Sequence, residues 1–462
     1  MQRILISLML LPILLSCGQG KKQASAEASD KALPNIVLII GDDHGYPYFG
    51  FMGADYVKTP AMDKLANSGT LFAHSYVPTN HCAPSLQTLL TGTLPIQYSQ
   101  QVQQLKEKTK AERDYENLSA DEQKEIDREF RFLAMQHFET LPRILSKHGY
   151  VSWQGGKWWE FNYHNGGFDS GMTKGWKPEQ EVGDDFFHIL MGGEGTELIR
   201  KTMQPFYDFV DANASKPKFM WFAPELPHYP LDAPQEYYDM YKDKKMTESA
   251  KRYYANCTWF DDGIKDMMKY LKEKGEFDNT LFVYVNDNGW EQAPDQEFRH
   301  DSLRWHNGGD KGKLSMYDMS FRTPVIFSWK ENIEAGVVKN DLFHSADIPA
   351  TILDLIGVDV PEEYYGISQK TVIEGKASDL RTEIIGNIDQ VRWEGDMMGR
   401  NLEGYWIRTR NWFFNWDATT GEKLLFDMNK DPNNDFNLAD KNPKLVAEFT
   451  TKIETWKKQM GR

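Results

Sequence analysis

The sequence predicts an α/β fold: one large, mostly parallel sheet flanked by helices, followed by a small subdomain of antiparallel sheet plus helix. Three observations support this. Continuous apolar runs recur at Asn35–Ile40, Tyr150–Gln154, Lys218–Phe222 and Thr280–Val285, separated by helix-length stretches. Apolar runs without alternation mark strands buried on both faces, as in parallel sheets. Past about Gly375 the pattern changes to short alternating runs, such as Gly404–Thr409, Asn411–Phe414 and Lys423–Asp427. The last segment, Pro443 to Met460, has the period of an amphipathic helix.

The chain divides in order as follows. Residues 1–16 read as an export signal, with Arg3 as the charge and Ile4 to Leu15 as the apolar run. That run is too short to span a bilayer comfortably. It ends in Leu14-Leu15-Ser16-Cys17, which resembles a bacterial lipoprotein box and implies lipidation of Cys17. Residues 17–32 form a polar tether. Gly18-Gln19-Gly20-Lys21 holds no acidic cluster, which favours a membrane-anchored lipoprotein facing the periplasm from the outer membrane. Residues 33–375 form the catalytic domain and 376–462 the C-terminal subdomain. Gln100 to Arg131 is dense in Lys, Glu, Gln and Asp and reads as a solvated helical insertion, with Ser119-Ala-Asp-Glu122 as a capping box.

Charge and cysteine content narrow the function. The net charge is −15, which argues against a nucleic-acid partner. Three cysteines, with Cys17 carrying lipid and Cys82 assigned elsewhere, leave no disulfide framework. Cys257 lies in a helix-like run, Arg252 to Met268, and reads as a core thiol.

The apolar runs share a polar ending. The first leads into Gly41-Asp42-Asp43-His44, the second into Gly155-Gly156-Lys157, the third towards Pro227-His228 and the fourth into Asn286-Asp287-Asn288. Ligands of open α/β sheets bind beyond the carboxyl ends of the strands. Carboxylates, a lysine, a histidine and an Asp-Asn pair therefore collect at one edge, the composition of a metal-assisted anion site. Taken singly, each of these residues would be a turn, cap or surface group. Their shared position is what carries the argument.

Cys82-Ala83-Pro84-Ser85, closed by Leu89-Leu90-Thr91-Gly92, resembles the active-site motif of formylglycine-dependent sulfatases in the alkaline-phosphatase superfamily. The resemblance spans nearly all of the chain after residue 33, in the family's order. Pro34-Asn-Ile-Val with Gly41-Asp-Asp-His-Gly45 is similar to the opening strand and its acid pair. Thr59-Pro60, Asp63, Leu65-Ala66, Gly69 and Phe72 fit the helix and turn that follow. Phe168-Asp169 fits a typical turn, and Leu425-Phe-Asp427, Asp431-Pro432 and Asn437-Leu438 resemble the C-terminal subdomain motif.

The resemblance implies a mechanism. Cys82 would be oxidised to formylglycine by a formylglycine-generating or sulfatase-maturing enzyme. One hydroxyl of the aldehyde hydrate would attack sulfur, and the second would collapse to release sulfate. Asp42, Asp43, Asp287 and Asn288 would hold one divalent cation, with the oxygen of matured Cys82 completing the set. All-oxygen ligands suit a hard cation, and the family points to calcium rather than magnesium. Lys157 and Lys313 would hold the sulfate oxygens, with Lys311 the weaker candidate for the second lysine. His228 would protonate the departing alcohol. The implied substrate is a sulfated polysaccharide or its oligosaccharides, and Trp158, Trp159, Trp290 and Trp305 are candidates for a sugar subsite.

Two positions depart from the family pattern. Leu86 stands where an arginine usual to the motif would be, and Trp159 where a histidine would be. Both touch the surroundings of the nucleophile. His164 is a candidate for the missing histidine's role, and Asp287 for a base. Two other functions stay open at this point: a phosphodiesterase or phosphonate monoester hydrolase of the same superfamily, and a non-catalytic lipoprotein that binds sulfated glycan.

Overall fold

A computed structural model of the chain describes residues 32–123, 126, 134–180, 186–298, 308–389 and 403–461. The export signal, Cys17, nearly all of the tether, part of the 100–131 insertion and Trp305 lie outside the described residues.

The sheet is built around β1 (Asn35–Gly41), which pairs in parallel with β5 (Lys218–Ala223) on one side and β6 (Thr280–Asn286) on the other. Beyond β5 lie β3 (Val151–Gly156) and the two-residue β4 (Ser170–Gly171), both parallel. Beyond β6 lie β7 (Arg322–Ser328), β2 (Thr70–Tyr76) and β8 (Val337–His344), giving the order β4-β3-β5-β1-β6-β7-β2-β8. Strand β7 runs antiparallel to both neighbours. It accounts for the qualifier "mostly" in the expected parallel sheet.

Every residue of β1, β5, β6 and β7 is buried. Alternate residues face two different cores. Ile36, Leu38 and Ile40 join a cluster with Trp221 and Val283, while Val37 and Ile39 join Met220, Phe222 and Tyr284. A sheet covered on both faces by helices has no need of polar alternation.

The helix Glu248–Glu273 lies on the second face and buries Phe260, Ile264, Met267 and Leu271 there, at helical spacing. Cys257 is fully buried in this helix as a free thiol. In the insertion, Ser119 and Glu122 form the expected capping box: Ser119 N donates to Glu122 Oε2 at 2.9 Å and Glu122 N to Ser119 Oγ at 3.4 Å. No helix among the described residues is long and apolar enough to cross a membrane.

The second sheet is antiparallel, in the order β12-β11-β10-β9. Its strands are β9 (Glu383–Asp389), β10 (Glu403–Thr409), β11 (Trp412–Asp417) and β12 (Lys423–Asp427). The helix Pro443–Gln459 buries Phe449, Ile453 and Trp456 against Tyr405, Ile407, Phe414 and Leu425 of this sheet. Its i, i+4, i+7 spacing is the pattern seen in the sequence.

Candidate active site

The site lies at the carboxyl edge of the large sheet. Asp42 and Asp43 follow β1, Lys157 follows β3, His228 lies in the loop after β5, and Asp287 and Asn288 follow β6. Cys82 opens the fully buried helix Cys82–Thr91, which follows β2. Lys313 comes from the loop before β7. The fold therefore assembles all eight predicted site residues at one edge.

Two buried ion pairs organise the centre. Lys157 Nζ donates to both Asp42 carboxylate oxygens at 2.7 Å and lies 3.9 Å from Asp287 Oδ2. Lys313 Nζ lies 2.7 Å from Asp43 Oδ1, which also accepts from Asn288 Nδ2 at 2.7 Å. Asp43 N reaches Asp287 Oδ1 at 3.3 Å. Asp43 is held in the left-handed region, φ 59°, and Leu314, next to Lys313, has φ 65°. Backbone of this kind in non-glycine residues persists only where the surroundings impose it, and it clusters at functional sites. Tyr253 supplies part of that constraint: its hydroxyl donates to Asp43 O at 2.8 Å and accepts from Gly45 N at 2.9 Å.

Position 156 must be glycine for Lys157 to reach the centre. Gly156 has φ 94°, and a Cβ there would lie 1.9 Å from Ala223 O. Because it lacks one, Lys157 N donates to Ala223 O at 2.6 Å.

The electrostatics follow from burial and charge together. Burial pushes the Asp42 carboxyl up, but Lys157, His228 and Lys313 outweigh it and hold the group at about 2. Burial and the neighbouring Asp42 carry Asp287 well above the usual range. Burial disfavours charge on Lys157 and Lys313, yet Asp42 for the first and Asp43 for the second raise both ammoniums above the ordinary lysine value. The Cys82 thiol, pushed up by burial, is drawn down to about 6 by Lys157, Lys313 and His81. Its position at a helix N-terminus favours negative charge in the same sense.

His228 lies 3.6 Å from Asp43 Oδ2 through Nε2, and its Nδ1 lies 2.6 Å from Tyr229 O. Nδ1 therefore donates to that carbonyl and Nε2 is turned to the site. Burial lowers the ring to about 4, against the pull of Asp42 and Asp43. The loop is pinned from outside: Arg200 Nη2 donates to His228 O at 2.7 Å and Nε to Glu225 O at 3.0 Å, while Asn256 Nδ2 donates to Pro230 O at 3.1 Å.

The residues present fit a hard divalent cation. Asp42, Asp43 and His228 offer ligand atoms within 4.8 Å of one another. Asp43 Oδ2, Asp287 Oδ2 and Asn288 Oδ1 are buried and accept no hydrogen bond. Buried oxygens are normally paired, so three such atoms on neighbouring residues of the site mark a place for positive charge. In this structure the lysines neutralise part of the acid cluster.

The sequence reading needs correcting at several residues. Trp158 and Trp290 are core side chains, 2% exposed, and not sugar-subsite walls. His164 is exposed, with its ring 4.1 Å from that of Tyr163, and it makes no described contact with Cys82. The histidine beside Cys82 is His81, whose Nε2 lies 4.0 Å from Cys82 Sγ. Its adjacency to Cys82 was visible in the sequence. Glu225, whose carboxyl burial pushes up to about 7 and which lies 3.8 Å from His228 Nδ1, carried no signal, and neither did Arg200. Leu86 is packed into the core with Leu89 and Leu90. Next to it Gln87 Nε2 donates to Glu160 Oε1 at 2.7 Å and ties the Cys82 helix to the Lys157 loop. Lys311 is turned away, bonded to Asn433 O at 2.7 Å.

A buried cysteine at a helix N-terminus, two lysines able to take anionic oxygens, and an acid cluster suited to a cation are the parts a hydrolase of anionic esters needs. The sulfatase family model matches residues 34–358 and the model for the C-terminal part of N-sulphoglucosamine sulphohydrolase matches residues 308–459; this chain belongs to the sulfatase family and is a sulfuric ester hydrolase. It is 24% identical to an arylsulfatase of Clostridium perfringens, over 86% of this chain and 89% of that protein. It is 23% identical to an N-acetylglucosamine-6-O-sulfatase of Bacteroides thetaiotaomicron, over 98% of this chain and 91% of that protein. A solved structure bound to its substrate D-glucosamine-2-N,6-O-disulfate shares the fold, with a TM-score of 0.70, 20% identity and coverage of 93% of this chain and 98% of that one.

Proposed function

We propose that this sulfatase removes sulfate from a sulfated polysaccharide or its oligosaccharides, with Cys82 matured to formylglycine by a dedicated enzyme and with one divalent cation, calcium rather than magnesium. The observation that carries the reading is the convergence of Lys157 and Lys313 on a buried Cys82 whose thiol they draw down to about 6. Groups that favour a negative charge on that atom also favour the oxygens of a bound sulfate. The relatives named for amino-sugar sulfates motivate the carbohydrate.

Matured Cys82 supplies a hydrated aldehyde, and the cation supplies Lewis-acid activation of its hydroxyl. The chain's own residues do the rest. Asp42, Asp43, Asp287 and Asn288 would hold the cation, joined by the oxygen of the matured residue. Lys157 and Lys313 orient the sulfate and take up charge as the ester bond breaks. His228 presents Nε2 to the leaving oxygen; an anionic ester beside the ring raises its proton affinity.

Two measurements test this. Peptide mass spectrometry of the Cys82 segment, on protein from its natural host, is expected to show a loss of about 18 Da relative to cysteine, distinct from other oxidation products. An unmodified thiol there overturns the formylglycine mechanism despite the intact lysines. Chelation is expected to lower both activity and melting temperature. Calcium at a hundredfold excess over its Kd is expected to restore about 2.7 kcal/mol of stability, and magnesium at that same concentration less. Equal restoration by both ions counts against the choice of calcium.

We place the protein as an exported lipoprotein anchored through Cys17 and facing the periplasm. The support is the residue pattern of the first seventeen positions.

A further inference from the structure

We infer that Phe187 and Trp159 form a stacking platform for the sugar ring that carries the scissile sulfate. The inference rests on the sulfated-glycan reading above and deepens it. Phe187 is 53% exposed, on the short helix Phe186–Met191. An exposed phenylalanine alone needs no explanation. This one stands edge-on to Trp159, with ring centres 6.0 Å apart and an interplanar angle of 71°.

Trp159 connects it to the chemistry. The Trp159 ring centre lies 5.8 Å from Lys157 Nζ and 6.3 Å from the ring of His81, which adjoins Cys82. That spacing is comparable to a sulfate ester link plus half a sugar ring. A ring whose sulfate is held by Lys157 is therefore within reach of the aromatic pair. Pyranose rings present an apolar C–H face and a rim of hydroxyls.

The platform is held before any ligand binds. Trp158 N donates to Met191 O at 2.7 Å, and Thr173 Oγ1 donates to Gly192 O at 3.0 Å, which fasten the C-terminal end of the helix. Phe186, next to Phe187, packs edge-on against Trp176 at 5.9 Å. A subsite fixed in advance loses little entropy on binding. Trp158 and Trp290 cannot serve, since both are core. The substrate class is thereby narrowed to pyranosides with an unsubstituted apolar face next to the sulfated carbon.

The test uses the full-length matured enzyme with p-nitrophenyl sulfate, carrageenan and ulvan oligosaccharides, glucosamine 6-sulfate and N-acetylgalactosamine 6-sulfate. On the sulfated sugar that the wild type turns over, Phe187→Ala is expected to raise KM about tenfold, from lost apolar contact. Phe187→Tyr is expected to restore it. Val338→Ala, which trims an exposed apolar side chain on β8, is expected to leave KM unchanged. A wild-type KM in Phe187→Ala overturns the platform while the sulfatase reading stands. A wild type inert towards every sulfated sugar overturns the glycan reading, and the platform falls with it.

Discussion

Alanine at Cys82 is expected to abolish sulfate-ester hydrolysis, with a loss on the order of 10⁴- to 10⁶-fold in kcat, the range seen when a covalent nucleophile is removed. Cys82 is buried at the first position of its helix, and the change removes only the reacting group from a helix whose other nine residues stay packed. The variant should therefore fold and still bind a sulfated ligand through Lys157 and Lys313. Serine should not rescue. Its single hydroxyl can attack sulfur but cannot expel sulfate by collapsing to an aldehyde, so turnover would need water to reach a buried ester. Steady-state kinetics with circular dichroism checks this. A Cys82→Ala enzyme retaining a tenth of wild-type turnover would show that the nucleophile lies elsewhere.

Methionine at Lys157 is expected to damage both activity and stability. The ammonium is 1% exposed and bonded to both oxygens of Asp42. Removing one member of a buried pair leaves the other charge uncompensated, at a cost of about 3–5 kcal/mol. The sign of the pH dependence follows. In the wild type, Asp42 is held at about 2, below its unfolded value of 3.8, so its contribution is present above 3.8 and lost as pH falls through 2. In the variant, burial raises the Asp42 carboxyl instead, the folded state binds the extra proton, and stability falls as pH rises. Urea unfolding in chelator is therefore expected to show the largest deficit at pH 7 and a smaller one at pH 4. A deficit that is constant with pH would mean that lost packing, and not the uncompensated Asp42 carboxylate, is responsible.

The sheet was legible because its central strands are buried on both faces. Such strands leave unbroken apolar runs, as at Asn35–Ile40 and Thr280–Val285. Strand direction was not legible. Strand β7 reads like its parallel neighbours, and only its pairing with β2 and β6 shows the reversal. β9 likewise carries no signal until paired with β10.

For the site, chemistry-bearing residues at strand ends were readable because residue type and strand end are both local properties. Asp42, Asp43, Lys157, His228, Asp287 and Asn288 could be assembled on that ground, and Cys82 and Lys313 through the family resemblance. The supports were not readable. Arg200 and Asn256 act on the His228 loop from outside it, 28 residues away along the chain in each case. Glu160 meets Gln87 across 73 residues. The tryptophans show the same division: four looked alike in sequence, but packing made Trp158 and Trp290 core and left Trp159 beside Lys157 and Phe187. The sequence alone determined the fold class and the chemical types at the sheet edge, since these depend on side-chain chemistry and period along one chain. The tertiary structure alone decided which charges pair, which oxygens go unpaired and which aromatics are core, since burial and proximity arise only when distant segments meet.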